Sequence, residues 1–299
     1  MNKNNQQNHL AVFGLLFGAF CWGIVWYPYR LMAQAGVSGV ASSVYTYAIA
    51  IVLACLFLRV NWRNALQQPL IIIPLGLMSG YTNLSYVLAV IDGDVMRVML
   101  LFYLSPIWTL ILAHFWLKEK TNVIGYVAVF ISILGAFVML YDPHLGGLPV
   151  PKNTAEWLAL SSGIGFAVTN VIARKAQQLS LMAKSFSVWI GVFSVSILYM
   201  LYQDGTVLSP VFFNVRHWLI MLLISLLLMA ATGFVQYGVT RMPATRASIL
   251  FLFELVVAAI ASYYLTNTSM AWNEWLGGIL IMLAAVFAAG QPEQVGEKS

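Results

Sequence analysis

Charged residues are scarce in this 299-residue chain. Only 8% of its residues are Asp, Glu, Lys or Arg, whereas 61% are hydrophobic. A soluble domain carries about 25% charged residues, so this chain lacks the polar surface that a water-soluble fold needs. The composition therefore excludes a soluble globular protein and favours one that lies in a lipid bilayer.

Cysteines and catalytic motifs are also nearly absent. Cys21 and Cys55 are the two cysteines, and both lie in apolar stretches without the spacing of a disulfide or metal site. The sequence contains no His-Glu-x-x-His motif, no glycine-rich phosphate loop and no Gly-x-Ser-x-Gly elbow. We therefore expect no metal and no cofactor, and ATP-driven activity would require a separate subunit.

Long apolar runs dominate the chain instead. About 20 apolar residues in a helix cross a bilayer core of roughly 30 Å, and isolated strands would leave backbone groups unpaired in lipid. The sequence thus predicts an all-α membrane protein with ten transmembrane helices. They cover residues 10–32, 38–58, 70–91, 96–117, 122–141, 157–174, 183–203, 216–239, 246–265 and 275–290.

The ten spans form two similar halves. The segment 18–23 leads to Arg30, and the segment 162–167 leads in the same register to Arg174. Because five spans are an odd number, the second half must enter the membrane inverted, as in many transporters. We expect a first five-helix repeat at 10–141, a periplasmic linker at 142–156, a second five-helix repeat at 157–290 and a polar cytoplasmic tail at 291–299.

The positive charges predict the orientation of these spans. With both termini on one side, that side holds eleven of the fifteen Lys and Arg residues, and the other side holds Arg30, Arg97, Lys152 and Arg216. This bias places both termini in the cytoplasm and fits a multi-pass protein of a bacterial inner membrane. It also explains the net charge of +5 without a nucleic-acid partner, because no basic cluster is large enough.

Glycine pairs four residues apart predict close helix packing. Gly14 with Gly18 and Gly76 with Gly80 have the spacing that lets two helix backbones approach each other. These pairs indicate how the helices pack and do not by themselves mark a binding site.

Glu254 is the residue that most directly suggests chemistry. It lies near the middle of the ninth span, where a carboxylate costs at least a few kcal/mol unless it is paired, protonated or facing a cavity. It is therefore a candidate for binding a substrate amine or for carrying a coupling proton. A protonated carboxyl group bonded to a neighbouring helix is the structural alternative.

Aromatic and polar side chains inside other spans are candidates for lining a cavity for a small organic solute. Packing against lipid or an interfacial aromatic belt is the alternative, above all for Trp26 and Tyr86. The candidates are Trp22, Trp26, Tyr81, Tyr86, Tyr103, Ser105, Phe166, Asn170, Gln236 and Tyr237, together with Glu254.

Two prolines inside spans are candidate gating positions. Pro106 removes a backbone donor from the fourth span, and Pro28 does the same near the outer end of the first. A helix loosened in this way can act as a gate, although many such prolines only shape packing.

Asp92 and Asp94 support an alternative, that of an intramembrane enzyme acting on a lipid-linked substrate with a divalent metal. They have no histidine partner, and a helix cap explains them at least as well. A non-transporting partner subunit of a membrane complex is a third possibility, which co-purification of an obligate partner would favour.

Several of these motifs resemble the EamA domains of the drug/metabolite transporter superfamily. The resemblance rests on Trp22-Gly23, on the run from Val98 to Trp108, on the run from Phe115 to Glu119, on Pro243 to Ser248, on Phe253-Glu254 and on Trp275 to Gly277. It implies ten helices in two inverted repeats and a cavity between helices 1, 3, 4, 6, 8 and 9, with helices 5 and 10 peripheral.

The resemblance also implies roles for residues, with two departures from the family pattern. Similarity to the family's aromatic-amino-acid exporters implies that Tyr81, Tyr103 and Ser105 line the cavity, with Phe166 and Glu254 opposite. Leu255 stands where the family usually has a second proline, which predicts a less bent second half. Asn267 stands where the first repeat has Glu119.

The sequence therefore predicts a secondary transporter that exports a small amphiphilic metabolite, either an amino acid or an organic cation, by alternating access. Its expected partners are the lipid bilayer, the solute and protons, and it is expected to be a monomer or weak homodimer.

Overall fold

The computed structural model describes residues 3–58, 68–93, 95–141, 151–204, 214–266 and 271–290. Within these ranges the chain forms α-helices and no strands. The helices are α1 (Lys3–Gln34), α2 (Gly39–Phe57), α3 (Pro69–Asp92), α4 (Val95–Phe102), α5 (Ser105–Leu112), α6 (Val123–Met139), α7 (Thr154–Lys175), α8 (Leu181–Asp204), α9 (Val215–Arg241), α10 (Ala244–Phe251), α11 (Phe253–Thr266) and α12 (Trp272–Gly290).

The predicted all-α membrane class is confirmed. In the described ranges, nine helical segments are long and apolar enough to cross a membrane, and α6 is a shorter apolar helix of 17 residues. One of the nine comprises α4, α5 and a π-helical turn at Ala113–Leu117, and another comprises α10 and α11. Asp94, Asn267, residues 142–150 of the predicted linker and the predicted tail at 291–299 lie outside the described residues.

The fourth span is interrupted close to Pro106, as the sequence predicted. Helix α4 ends at Phe102 and α5 begins at Ser105, so Pro106 is the second residue of the new helix. Proline has no N–H, and the carbonyl of Phe102 therefore lacks the usual helical donor four residues later. Gly163 of α7 lies directly against this carbonyl, since a Cβ there would be 2.6 Å from the Phe102 oxygen.

The ninth span is interrupted as well, although Leu255 stands where related sequences usually have a proline. The interruption covers only Leu252, where the N–H of Leu255 donates to the Leu252 carbonyl at 3.0 Å. It is shorter than the two-residue break at Tyr103 and Leu104. The second half is thus more regular than the first at this place, but its break does not depend on a proline.

Glycines lie where helices approach each other closely, as the four-residue spacing predicted. Helix α3 packs against α8, and Cβ atoms added at Gly76 and Gly80 would meet the carbonyls of Ser187 and Gly191. Gly14 and Gly18 of α1 likewise face α9. A groove of about 250 Å³ lies between α3 and α8, beside Gly76 and Gly191.

We expect Gly191→Ala to destabilise the protein. The three atoms nearest to an added Cβ are all backbone atoms of Gly76, which cannot rotate away as a side chain could, so overpacking costs about 1–3 kcal/mol. Gly233→Ala in α9 is the matched control, because an added Cβ there meets nothing within 4 Å and alanine favours a helix. Thermal unfolding in detergent should show a lower Tm for the first variant only, and equal Tm values would contradict the packing argument.

Candidate functional site

Six aromatic rings from both halves of the chain meet in the bundle. We call them the aromatic cluster: Trp22, Tyr86, Phe102, Tyr103, Phe166 and Phe251. Phe166 links the two halves, because its ring centroid lies 5.5 Å from that of Phe102 and 5.1 Å from that of Phe251. Trp22 lies 5.8 Å from Phe251 and 6.3 Å from Phe166. The rings occupy the two interrupted spans and the helices packed against them.

Glu254 joins this cluster from the first turn of α11. Glu254 is half-buried, and its carboxyl group lies within hydrogen-bonding reach of the Tyr103 hydroxyl. Tyr86 lies near enough to interact with it electrostatically. Aromatic faces carry negative electrostatic potential and attract cations. A carboxyl group beside several rings is therefore suited to a positively charged group on an apolar body.

The structure brings together five of the predicted site residues: Trp22, Tyr86, Tyr103, Phe166 and Glu254. Phe102 and Phe251 complete the cluster and were not among the predicted site residues. Phe102 lies one helical turn before Pro106, so a search for rings beside the predicted break would have found it. Phe251 lies beside the break at Leu252, which no proline indicates.

Two other predicted residues extend from the cluster along its helices, and a third, Gln236, lies on α9, which packs against α1. Asn170 lies one turn after Phe166 on α7, and Trp26 lies one turn after Trp22 on α1. The Asn170 amide nitrogen, the Trp26 indole nitrogen and the Gln236 amide oxygen are buried without a hydrogen-bond partner. An unpaired buried polar group costs about 1–3 kcal/mol, which favours a ligand or water at these positions.

The remaining candidates lie in other surroundings. Tyr81 is 38% exposed and donates to the Ser161 hydroxyl at 2.8 Å across the α3–α7 contact. The ring of Tyr237 is covered by the Arg241 guanidinium at 4.4 Å. Ser105 is buried at the start of α5, next to the break. Helix α1 continues without interruption through Pro28.

A buried ion pair lies at one end of the bundle. Arg97 of α4 bonds both carboxylate oxygens of Glu156 in α7, at 2.7 and 3.0 Å. Glu156 also accepts the backbone N–H of Lys152 at 2.8 Å. The side chains of the pair are only 8% and 5% exposed. By the predicted orientation, this is the periplasmic end.

A second ion pair joins the same two spans at the opposite end. Glu119, which follows the π-helical turn of the fourth span, accepts from Arg174 Nε at 3.0 Å and from the N–H of Ala244 at 2.9 Å. Arg174 also donates to the Thr240 carbonyl at 2.5 Å. Neither ion pair was predicted from the sequence, although acidic residues are so few that each one near a span end indicates a possible ion pair.

Among the described residues, no group of three or more His, Cys, Asp or Glu side chains could hold a metal ion. Asp94, one half of the proposed metal pair, lies outside that part of the chain.

These features define a multi-pass helical membrane protein with an aromatic and acidic centre between two ion-paired ends. The chain belongs to the EamA-like transporter family, whose sequence profile matches residues 9–141 and 153–290. It is therefore a membrane transporter, and the resemblance seen in its motifs is confirmed.

Curated relatives and a solved structure agree with this assignment. An uncharacterized transporter of Pseudomonas aeruginosa is 23% identical over 77% of this chain and 67% of its own length. The S-adenosylmethionine uptake transporter of Rickettsia prowazekii is 24% identical over 75% of this chain and 74% of its own length. One crystal structure superposes with a TM-score of 0.74 at 15% identity, covering 93% of this chain and 96% of that one, which supports the fold.

Proposed function

We propose that the protein is a secondary transporter for a small amphiphilic metabolite that carries an amine, and that it works by alternating access around the aromatic cluster and Glu254. The observation that carries this proposal is the contact of Glu254 with Tyr103 inside a cluster of rings drawn from both halves. We further propose export from the cytoplasm, with both termini cytoplasmic and with protons as the coupling ion.

The chemistry of the aromatic cluster and Glu254 supports a solute that carries an amine. A carboxylate satisfies a cationic group, and the surrounding rings receive both the charge and the apolar body of the solute. If the cationic solute and a proton bind Glu254 in exchange for each other, export of the solute is coupled to entry of protons. S-adenosylmethionine, named for the Rickettsia relative, also combines a cationic group with an aromatic body.

The helix contacts support two inverted repeats. In the proposed correspondence, α1 matches α7 and α3 matches α9. The extensive contact between α1 and α9 then maps onto the contact between α7 and α3, and both are present. The interruptions in the fourth and ninth spans are also equivalent under this correspondence.

The two ion pairs support the gating part of the proposal. Arg97–Glu156 and Glu119–Arg174 hold the fourth span against α7 at opposite ends, so opening either end requires one pair to separate. The loosened backbone at the break after Phe102 would let the two ends of the fourth span move separately. We therefore propose Pro106 as a gating position.

Flux measurements in liposomes test the proposed function. Purified protein should carry labelled amino acids or organic cations in response to a proton gradient, measured in both directions and in both gradient orientations. Empty liposomes provide the control. Absence of flux for every member of such a panel, from a protein that unfolds cooperatively, would overturn the proposal.

A further inference from the structure

Lys184 is a buried cation, and neither of the two ion pairs among the described residues includes it. Its side chain is fully buried in the first turn of α8, where Nζ donates to the Thr240 hydroxyl. Removing a charge from water costs several kcal/mol unless an opposite charge compensates for it. A single hydroxyl dipole compensates for only part of this cost.

The charged groups around Lys184 are themselves positive. Arg174 donates to the carbonyl of Thr240, the residue whose hydroxyl accepts from Lys184, and the exposed Arg241 directly follows Thr240 on α9. Glu119 is the carboxylate described in this region, and both its oxygens are occupied, one by Arg174 and the other by the N–H of Ala244. Among the described residues, three cations therefore lie around one carboxylate, whose two hydrogen bonds come from Arg174 and the N–H of Ala244.

Helix dipoles account for some of these cations but not for Lys184. Arg174 and Arg241 lie in the last turns of α7 and α9, where the negative ends of the dipoles favour cations. Lys184 lies at the opposite kind of helix end, because the N-terminal turn of α8 favours an anion. Its position is explained if an anion binds beside it.

We propose that Lys184, with Arg174 and Arg241, forms an oxyanion site that receives the carboxylate of the transported solute. The inference rests on the proposed function and narrows its substrate class to zwitterions, which carry a carboxylate as well as an amine. A lipid phosphate is the other source of such an anion, but Lys184 is 0% exposed and lies between helices. Thr240 and Gln236, one turn apart on α9, continue from this site into the bundle.

Binding of two simple probes tests the site without any transport measurement. The probes are 3-phenylpropionate, which has a carboxylate and no amine, and phenethylamine, which has an amine and no carboxylate. We expect Lys184→Met to weaken the binding of 3-phenylpropionate about tenfold to a hundredfold, as loss of a charged hydrogen bond does. Binding of phenethylamine should stay unchanged. Lys175→Met is the control, because Lys175 is exposed over the Trp116 ring.

Calorimetry and thermal shifts on the purified full chain give the outcomes. The ligand-free Tm of Lys184→Met should equal or exceed that of the wild type, because methionine removes an uncompensated charge. A lower ligand-free Tm of Lys184→Met would show a structural role and overturn the proposal. Equal weakening of 3-phenylpropionate binding in Lys184→Met and Lys175→Met would also overturn it, and so would the absence of 3-phenylpropionate binding to the wild type. Lys184-dependent stabilisation by phosphatidylglycerol nanodiscs instead of by the solute probe would overturn the assignment to the solute. If the probe binds as expected but liposomes show no flux, the proposed function fails and the oxyanion site stands.

Discussion

Glu254→Gln is expected to reduce transport of an amine-bearing solute on the order of a hundredfold. Glutamine keeps the size and hydrogen-bonding capacity of the side chain, so the contact with Tyr103 can persist. It cannot supply the negative charge, and loss of one partner from a desolvated charge pair costs about 2–5 kcal/mol. The variant should also lose its dependence on a proton gradient.

Flux and binding together check this expectation. Transport is compared in liposomes with and without a proton gradient, and phenethylamine binding is measured by calorimetry. Glu274→Gln is the matched control, because Glu274 lies in the first turn of α12 and accepts the backbone N–H of Ala271, a contact that glutamine can keep. Normal transport by Glu254→Gln at every pH and with every tested amine would contradict the assigned role.

The second large effect is expected at the Arg97–Glu156 pair. Glu156→Gln removes the carboxylate that accepts two hydrogen bonds from the buried Arg97 guanidinium, and loss of one partner from a buried ion pair costs about 3–5 kcal/mol of unfolding free energy. Glu119→Gln removes the corresponding charge from a pair whose side chains are 20% and 18% exposed. Water compensates for more of that loss, so about 1 kcal/mol is expected there.

A double-mutant cycle separates the pair from its other contacts. Arg97→Met combined with Glu156→Gln should lose less stability than the sum of the single variants, because the double variant buries no unpaired charge. Unfolding curves in mixed micelles give the four free energies. Additive losses, or equal losses for Glu156→Gln and Glu119→Gln, would show that burial does not set the strength of these pairs.

The sequence contained most of what determines the fold. The long apolar runs predict helices because lipid excludes unpaired backbone groups. The glycine spacing predicted that α3 packs closely against another helix, although not that this helix is α8. Pro106 predicted the first break. The break at Leu252 carries no such signal, since it occurs without a proline and depends on how the ninth span packs.

The candidate site was only partly predictable. Glu254 was predictable because a carboxyl group inside a membrane span is costly unless it is paired, protonated or facing a cavity. The family resemblance implied the roles of Tyr103 and Phe166. Periodicity shows which side chains share a helix face but not which neighbour that face meets, so the bond from Tyr81 to Ser161 was not predicted. A cavity-lining role of Tyr81 stays a prediction. The charged partner of Glu156 and the hydroxyl partner of Lys184 lie on helices distant in sequence, and no local pattern indicates them.

The short helix α6 has a consequence for the surrounding bilayer. Its 17 residues span about 26 Å at 1.5 Å per residue, and its neighbour α12, with 19 residues, spans about 28 Å. Both are shorter than a hydrocarbon layer of roughly 30 Å. The mismatch along this edge is accommodated by thinning of the bilayer or by flanking side chains that reach the interface, at a cost of fractions of a kcal/mol per Å of mismatch. The thickness of the membrane thus acts on one flank of the transporter, and acyl-chain length is a variable in every reconstitution.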